Sequence, residues 1–181
     1  MNNKGFTLVE VLAMLVVLAL LMAITIPNIT GILSNQRLNV IRNDARTMVE
    51  TAKVKVAKNE NIKKPTSGKC LVFSLDYLND NDNINNGPNG GTYDKYESFV
   101  IYTRSGSQYK YYVRLIEKNS NYNYGIELED INNITENKSS NIKKITSLIG
   151  LGESADNKTV ANNNSSIHSL CPGGIVDYYT N

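Results

Sequence analysis

The stretch from Phe6 to Ile26 constrains this chain more than any other part of it. It is 21 residues long, and Glu10, near its start, is the one charged side chain inside it. As a helix it would measure about 32 Å at 1.5 Å per residue, which matches the hydrocarbon depth of a bilayer. A secretory signal peptide has a shorter apolar region, about 7–15 residues, with a small-residue cleavage site behind it. A carboxylate in lipid costs on the order of 2.5–3.5 kcal/mol at the bilayer centre and less near an end, so Glu10 calls for a partner. Lys4 on the short side predicts a cytoplasmic N-terminus and a domain outside.

Past Pro27 the pattern changes without stopping. Ile41, Ala45, Met48, Val49, Ala52 and Val56 recur at spacings of three and four, and Arg42, Arg46, Glu50 and Lys53 take the opposite face. This predicts an amphipathic helix running to about Lys58. Pro27, which has no N–H to donate, and Gly31 should bend the helix without ending it. The first half is apolar all round and needs lipid or other helices about it. The second half has one apolar face and needs a domain to cover it.

The remainder reads as strands and polar loops. Asn59–Gly68 is an exit loop, Cys70–Leu75 a strand or buried turn, and Asn79–Gly91 a surface loop rich in Asn, Asp and Gly. Strands are expected at Ser98–Arg104, Gln108–Glu117 and Tyr124–Glu129, the first two joined by Ser105-Gly106-Ser107. Tyr109, Tyr111, Val113 and Leu115 alternate with Lys110, Tyr112, Arg114 and Ile116. An antiparallel meander with one face on the long helix follows, so the fold class is α+β. Ser140–Ile149 reads as a short helix, with Ile142, Ile145, Leu148 and Ile149 on one side and Gly150 as its stop. Gly152–Ser166 reads as a polar loop and Ile175–Tyr179 as a final edge strand.

Lys4-Gly5-Phe6-Thr7-Leu8-Val9-Glu10 opens the apolar helix, with Pro27 lying 22 residues beyond Gly5. This resembles the processing signature of type IV prepilins, and the chain is similar to the type IV pilin and pseudopilin family. The resemblance implies a pilin-like fold: a leader at 1–5, a transmembrane or filament-core helix half at 6–26, an amphipathic half at 27–58, and a globular head at 59–181 with antiparallel strands near 98–130. It implies that a prepilin peptidase cuts between Gly5 and Phe6 and methylates the new amine of Phe6. It implies that Glu10 meets the Phe6 amine of a neighbouring subunit during assembly, and that Pro27 kinks the helix. The precursor would be a single-pass protein of the cytoplasmic membrane and the mature chain part of an extracellular pilus. Its partners would be other pilin subunits and, indirectly, an assembly ATPase machine. The implied function is a major or minor pilin supporting adhesion, motility or biofilm formation. The alternative is a pseudopilin of a type II secretion or competence DNA-uptake system. The Asn-, Lys-, Ile- and Tyr-rich composition without Trp points weakly to an AT-rich genome and a Gram-positive source.

Other features weigh less. The full chain has 19 basic and 17 acidic side chains, and losing Met1–Gly5 removes Lys4. That is no basic footprint for nucleic acid, which is not an expected partner. Lys110, Tyr112 and Arg114 are a thin hint in the other direction. Cys70 and Cys171 are the only cysteines. In an oxidising exterior they can form a disulfide, or they can stay as two thiols, since pairing is not readable from sequence. In many pilins a disulfide anchors the C-terminal region, although Gram-positive members often lack one. Asp80-Asn81-Asp82-Asn83 starts like a calcium loop but lacks the glycine and closing glutamate. With His168 the sole histidine, no metal site, cofactor or catalytic set is expected. Ser140-x-x-Lys143 lacks its companion motifs. Asn28, Asn133, Asn137, Asn157, Asn163 and Asn164 begin N-x-S/T triplets, which so asparagine-rich a chain produces by composition. Tyr109, Tyr111, Tyr112, Tyr122 and Tyr124 are expected as cross-strand pairs on a half-buried sheet, with a tyrosine-rich adhesive surface as the other reading.

Overall fold

Helical periodicity sustained across so many residues produces one long helix, α1, Leu8–Lys58. The computed structural model describes residues 5–60, 62–79, 84–134, 141–149 and 165–175, and only the backbone over 24–31. The backbone of α1 stays helical through Pro27 and Gly31. Two compact units divide the chain, Met1–Arg37 and Leu38–Asn181, and α1 contributes to both.

In the first unit the apolar side chains face outward. Phe6, Leu8, Leu12, Leu15 and Leu21 are each more than half exposed. An apolar surface of this extent is a contact surface for lipid or protein.

In the second unit Ile41, Ala45, Met48, Val49 and Ala52 are fully buried, and Val56 packs beside them. The opposite face is less polar in its surroundings than its sequence suggests. Arg42 is buried, with Nη1 donating to Asn39 Oδ1 at 2.7 Å. Arg46 is half-buried and donates from Nη2 to the Ile134 carbonyl at 2.8 Å.

The helix packs on one antiparallel sheet of six strands: β1 Cys70–Ser74, β2 Thr92–Tyr93, β3 Phe99–Ser105, β4 Gln108–Lys118, β5 Asn123–Asp130 and β6 Ile142–Ile145. Their order is β1-β3-β4-β5-β6, and β2 pairs with the end of β4 through Thr92↔Lys118 and Tyr93↔Glu117. A short helix, α2 (Leu75–Leu78), follows β1 and is capped by the Ser74 hydroxyl. A second, α3 (Ser165–Leu170), lies near the C-terminus. The fold is mixed α+β, an N-terminal helix with an antiparallel sheet, consistent with a pilin-like fold.

The β3–β4 turn centres on Gly106 at φ +60°, a conformation that favours glycine. Between Val113 and Leu115 the pairing of β4 with β5 shifts register, a bulge. Gly125 sits beside it with φ +154°, and a Cβ there would collide with the Leu115 carbonyl oxygen.

The structure corrects three expectations. Ile142–Ile145 is a strand, not part of a helix, and pairs with β5 from Asn123↔Ile145 to Ile126↔Ile142. The edge of β5 offers unpaired N–H and C=O groups, and satisfying them overrides a weak local helical pattern. The expected polar loop Gly152–Ser166 runs into α3, so Ser165 and Ser166 are helical; residues 152–164 lie outside the described residues. Finally, both faces of the sheet are covered. Val113, Leu115 and Ile126 belong to the core under α1. Phe99 and Ile101 belong to a second core with Cys70, Ile167, Cys171 and Ile175. Cys70 and Cys171 are joined as a disulfide with Cα atoms 5.6 Å apart. Gly173 N donates to Gly68 O at 2.8 Å and Cys70 N to Gly174 O at 3.2 Å, which ties this segment to β1. Ile175 forms one bridge with Cys70; the rest of the expected strand Ile175–Tyr179 lies outside the described residues.

Candidate functional site

The N-terminus of α1 is built by Thr7 and Glu10. Thr7 is the last residue before the helix, and its hydroxyl oxygen accepts from Glu10 N at 3.3 Å. In return Glu10 Oε2 accepts from Thr7 N at 2.9 Å and from the Thr7 hydroxyl at 2.8 Å. This is a reciprocal capping box, which satisfies two of the donors that every helix start leaves open. The T-x-x-E spacing was legible in the sequence, but Thr7 was read there only as part of a processing signature. All three of these bonds on Glu10 fall on Oε2 or on its N–H, and none on Oε1.

Gly5 and Phe6 precede the box in exposed chain outside the helix, and a Cβ at Gly5 would meet nothing within 4 Å. Gly5 is therefore open to approach, and the helix begins three residues later at Leu8. Among the described residues no helix is long and apolar enough to cross a membrane. The described side chains of the apolar run end at Ala23, short of Ile24–Ile26.

The second unit holds its charges in structural roles. Arg114 is buried, not displayed beside Tyr112. Its Nη1 donates to Glu127 O at 2.7 Å and its Nη2 to Ser147 O at 2.8 Å and Glu97 Oε2 at 3.3 Å. Glu97 Oε2 also accepts from Ile149 N at 2.8 Å. The pair thus fastens the segment after β6 to the sheet, and the hint of a nucleic-acid face at Lys110, Tyr112 and Arg114 falls away. Glu117 is fully buried and accepts from Asn89 N at 2.9 Å, Gly91 N at 2.9 Å and Asn89 Nδ2 at 2.8 Å. It is the anchor of the Gly87–Gly91 loop, and nothing in the sequence pattern marks it.

Asp94 is pulled in two directions. Burial raises its carboxyl, but Lys118 and the N–H groups of Glu97 and Tyr96 outweigh that and hold it below the usual range. The Lys143 ammonium at 2.6 Å, helped by Ser147, likewise depresses Glu127. Burial raises Asp44, which accepts from Tyr93 Oη at 2.7 Å and so ties α1 to β2.

Tyr111 stacks on Tyr102 with ring centres 4.6 Å apart, a directly opposed pair of β3 and β4. Tyr109 is 41% exposed, while Tyr112 lies partly buried against the second core. His168 is exposed on α3. Among the described residues no three His, Cys, Asp or Glu side chains group to hold a metal ion. Asp80–Asn83, Ser140, Asn137, Asn157, Asn163 and Asn164 lie outside the described residues, as does the side chain of Asn28.

Residues 1–26 match the prokaryotic N-terminal methylation motif. The chain thus carries the class III signal peptide of type IV pilins. The motif implies processing by prepilin peptidase and assembly with other pilin subunits. No curated protein and no solved structure matches the chain.

Proposed function

We propose that the chain is a structural subunit of a type IV pilus, cut between Gly5 and Phe6, methylated on the Phe6 amine, and polymerised through α1. The observation that carries this reading is the methylation motif over residues 1–26, whose one intramembrane carboxylate is held at the first turn of α1 by Thr7. Before assembly the Phe6–Ile26 run anchors the precursor as a single pass in the cytoplasmic membrane, with the head outside. Cleavage creates an ammonium on Phe6. The helix end of the same subunit engages Glu10 through Oε2, so Oε1 is left to meet the Phe6 ammonium of a neighbour. Opposite charges attract strongly in low dielectric, but only the surplus over desolvation counts. The pair therefore sets register more than it adds stability.

Lipid is as apolar as leucine, so moving the helix from membrane to filament core gains little hydrophobic energy. An assembly ATPase supplies the drive. Pro27 leaves one carbonyl of α1 without its usual donor and gives the helix a place to bend in the bundle. The contact between successive subunits is heterologous and does not close, which yields a fibre. The test is Glu10→Ala. The variant should be cleaved normally but give about tenfold fewer filaments or less, the effect of ~1.4 kcal/mol. Normal filament yield would contradict the pairing.

A further inference from the structure

The small net charge of the chain hides a segregation. Residues 53–69 and 103–109 hold seven basic side chains and one acidic one, Glu60, although the whole chain has 19 and 17. The fold brings these two segments together near the C-terminal end of α1. Gly68 N donates to Arg104 O at 3.2 Å, and the Thr103 hydroxyl donates to Lys69 O at 3.0 Å. Lys53 is paired with Glu50, and Lys55 donates to the Tyr77 carbonyl. Lys58, Lys63, Lys64, Lys69 and Arg104 pair with no carboxylate among the described residues. Tyr109, which is exposed, draws two of them to one place. Lys64 Nζ lies 5.9 Å from its ring centre and the Arg104 guanidinium 5.7 Å, both at cation–π distance. Tyr102 braces the ring at 5.3 Å. Arg104 Nε donates to Gly106 O at 3.0 Å, which points the guanidinium and leaves Nη1 and Nη2 for a ligand. The two cations are thus held before any ligand arrives.

We propose that Lys64 and Arg104, held on Tyr109, form a binding site for an acidic polysaccharide and take the carboxylates of its sugars. The proposal rests on the filament reading only for placing the head outside the cell. Cations without carboxylate partners attract an anion, and the flat fork of an arginine matches a carboxylate. Around them Ser67, Ser105, Ser107 and Gln108 are all exposed, and they offer donors and acceptors to a hydroxyl-rich chain. Other polyanions fit less well. A nucleic-acid strand runs over successive exposed rings, whereas beside Tyr109 the Tyr102 ring is buried and Tyr111 half-buried. A bilayer takes up apolar side chains beside the cations, and the hairpin tip, Ser105-Gly106-Ser107-Gln108, has none.

The test is binding of the full-length chain, in detergent micelles, to labelled polygalacturonate, with dextran, oligothymidylate and phosphatidylglycerol vesicles as competitors. Affinity for polygalacturonate should exceed that for each competitor by about tenfold or more and fall as salt rises. Lys64→Gln should weaken it about threefold, and Lys64→Gln with Arg104→Gln about tenfold. Tyr109→Leu should cost about threefold by releasing the cations. Lys144→Gln, which removes a single cation 5.9 Å from the Tyr122 ring on β6's side of the sheet, should change it by less than about twofold. Equal affinity for dextran, tighter binding of oligothymidylate or of vesicles, or an affinity unmoved by Lys64→Gln and by the double variant would each overturn the proposal. Lys64 is exposed and makes no other described contact, so its variant tests the site even where Arg104→Gln disturbs the hairpin. Binding is read without polymerisation. A chain that forms no filaments strikes the filament reading alone, and a failed binding test strikes this site alone.

Discussion

Thr7 and Glu10 show how one pair can close a helix end. A helix needs its first N–H groups capped, and the box caps those of Thr7 and Glu10 within one turn. Glu117 is the counterpart in the head. Replacing it with Ala would leave the partly buried Asn89 N and Gly91 N without these acceptors, at a cost of about 1–3 kcal/mol. Urea unfolding of Glu117→Ala checks this, and a midpoint equal to the parent's would contradict it. Asp94 gives a pH dependence of definite sign. Its carboxyl is depressed in the folded state. The stability it contributes is thus present above the ordinary aspartate range and lost as pH falls through the folded value. The stability gap between parent and Asp94→Asn should be full above the ordinary aspartate range and close as pH falls below it. A gap that stays constant over that range would show that Asp94 does not titrate with folding.

Elements were legible where local pattern and tertiary demand agreed. The spacing of Ile41, Ala45, Met48, Val49 and Ala52 makes a helical stripe, and all five are fully buried. Gly106 marked the hairpin, and the tyrosine alternation marked β4. β6 was misread because Ile142 and Ile145 stand three apart, a spacing that suits a helix face; only the unpaired edge of β5 decides it, and that partner lies far away in sequence. The second core was invisible for the same reason. It gathers Cys70, Phe99 and Ile101 with Ile167, Cys171 and Ile175, which no sequence window contains together. The buried Arg114 followed, since its outward position on the strand becomes interior once that second layer is in place. The disulfide links Cys70 to Cys171 across 101 residues. A loop of that length corresponds to about 4.7 kcal/mol in the chain-entropy picture. Cys171→Ser should therefore lower the unfolding free energy by about 2–5 kcal/mol. Calorimetry showing an unchanged transition would mean that α3 and the second core hold without the bond.

For the molecule as a whole, the N-terminal unit exposes apolar surface and the rest buries it, so the two parts answer to different surroundings. The methylation motif was legible in the sequence, because Gly5, Phe6 and Glu10 fall within six consecutive residues. The capping role of Thr7 needed the helix start, and the burial of Arg114 and Glu117 needed the fold, since it depends on contacts between distant segments. The central claim is that a cut after Gly5 exposes an amine that pairs with Glu10 of another copy to build a fibre. Mass spectrometry and N-terminal sequencing of material sheared from the cell surface address it most directly. The account predicts a polymer whose subunits begin with methylated Phe6. Sheared or membrane-bound protein that keeps Met1 and stays monomeric would contradict it.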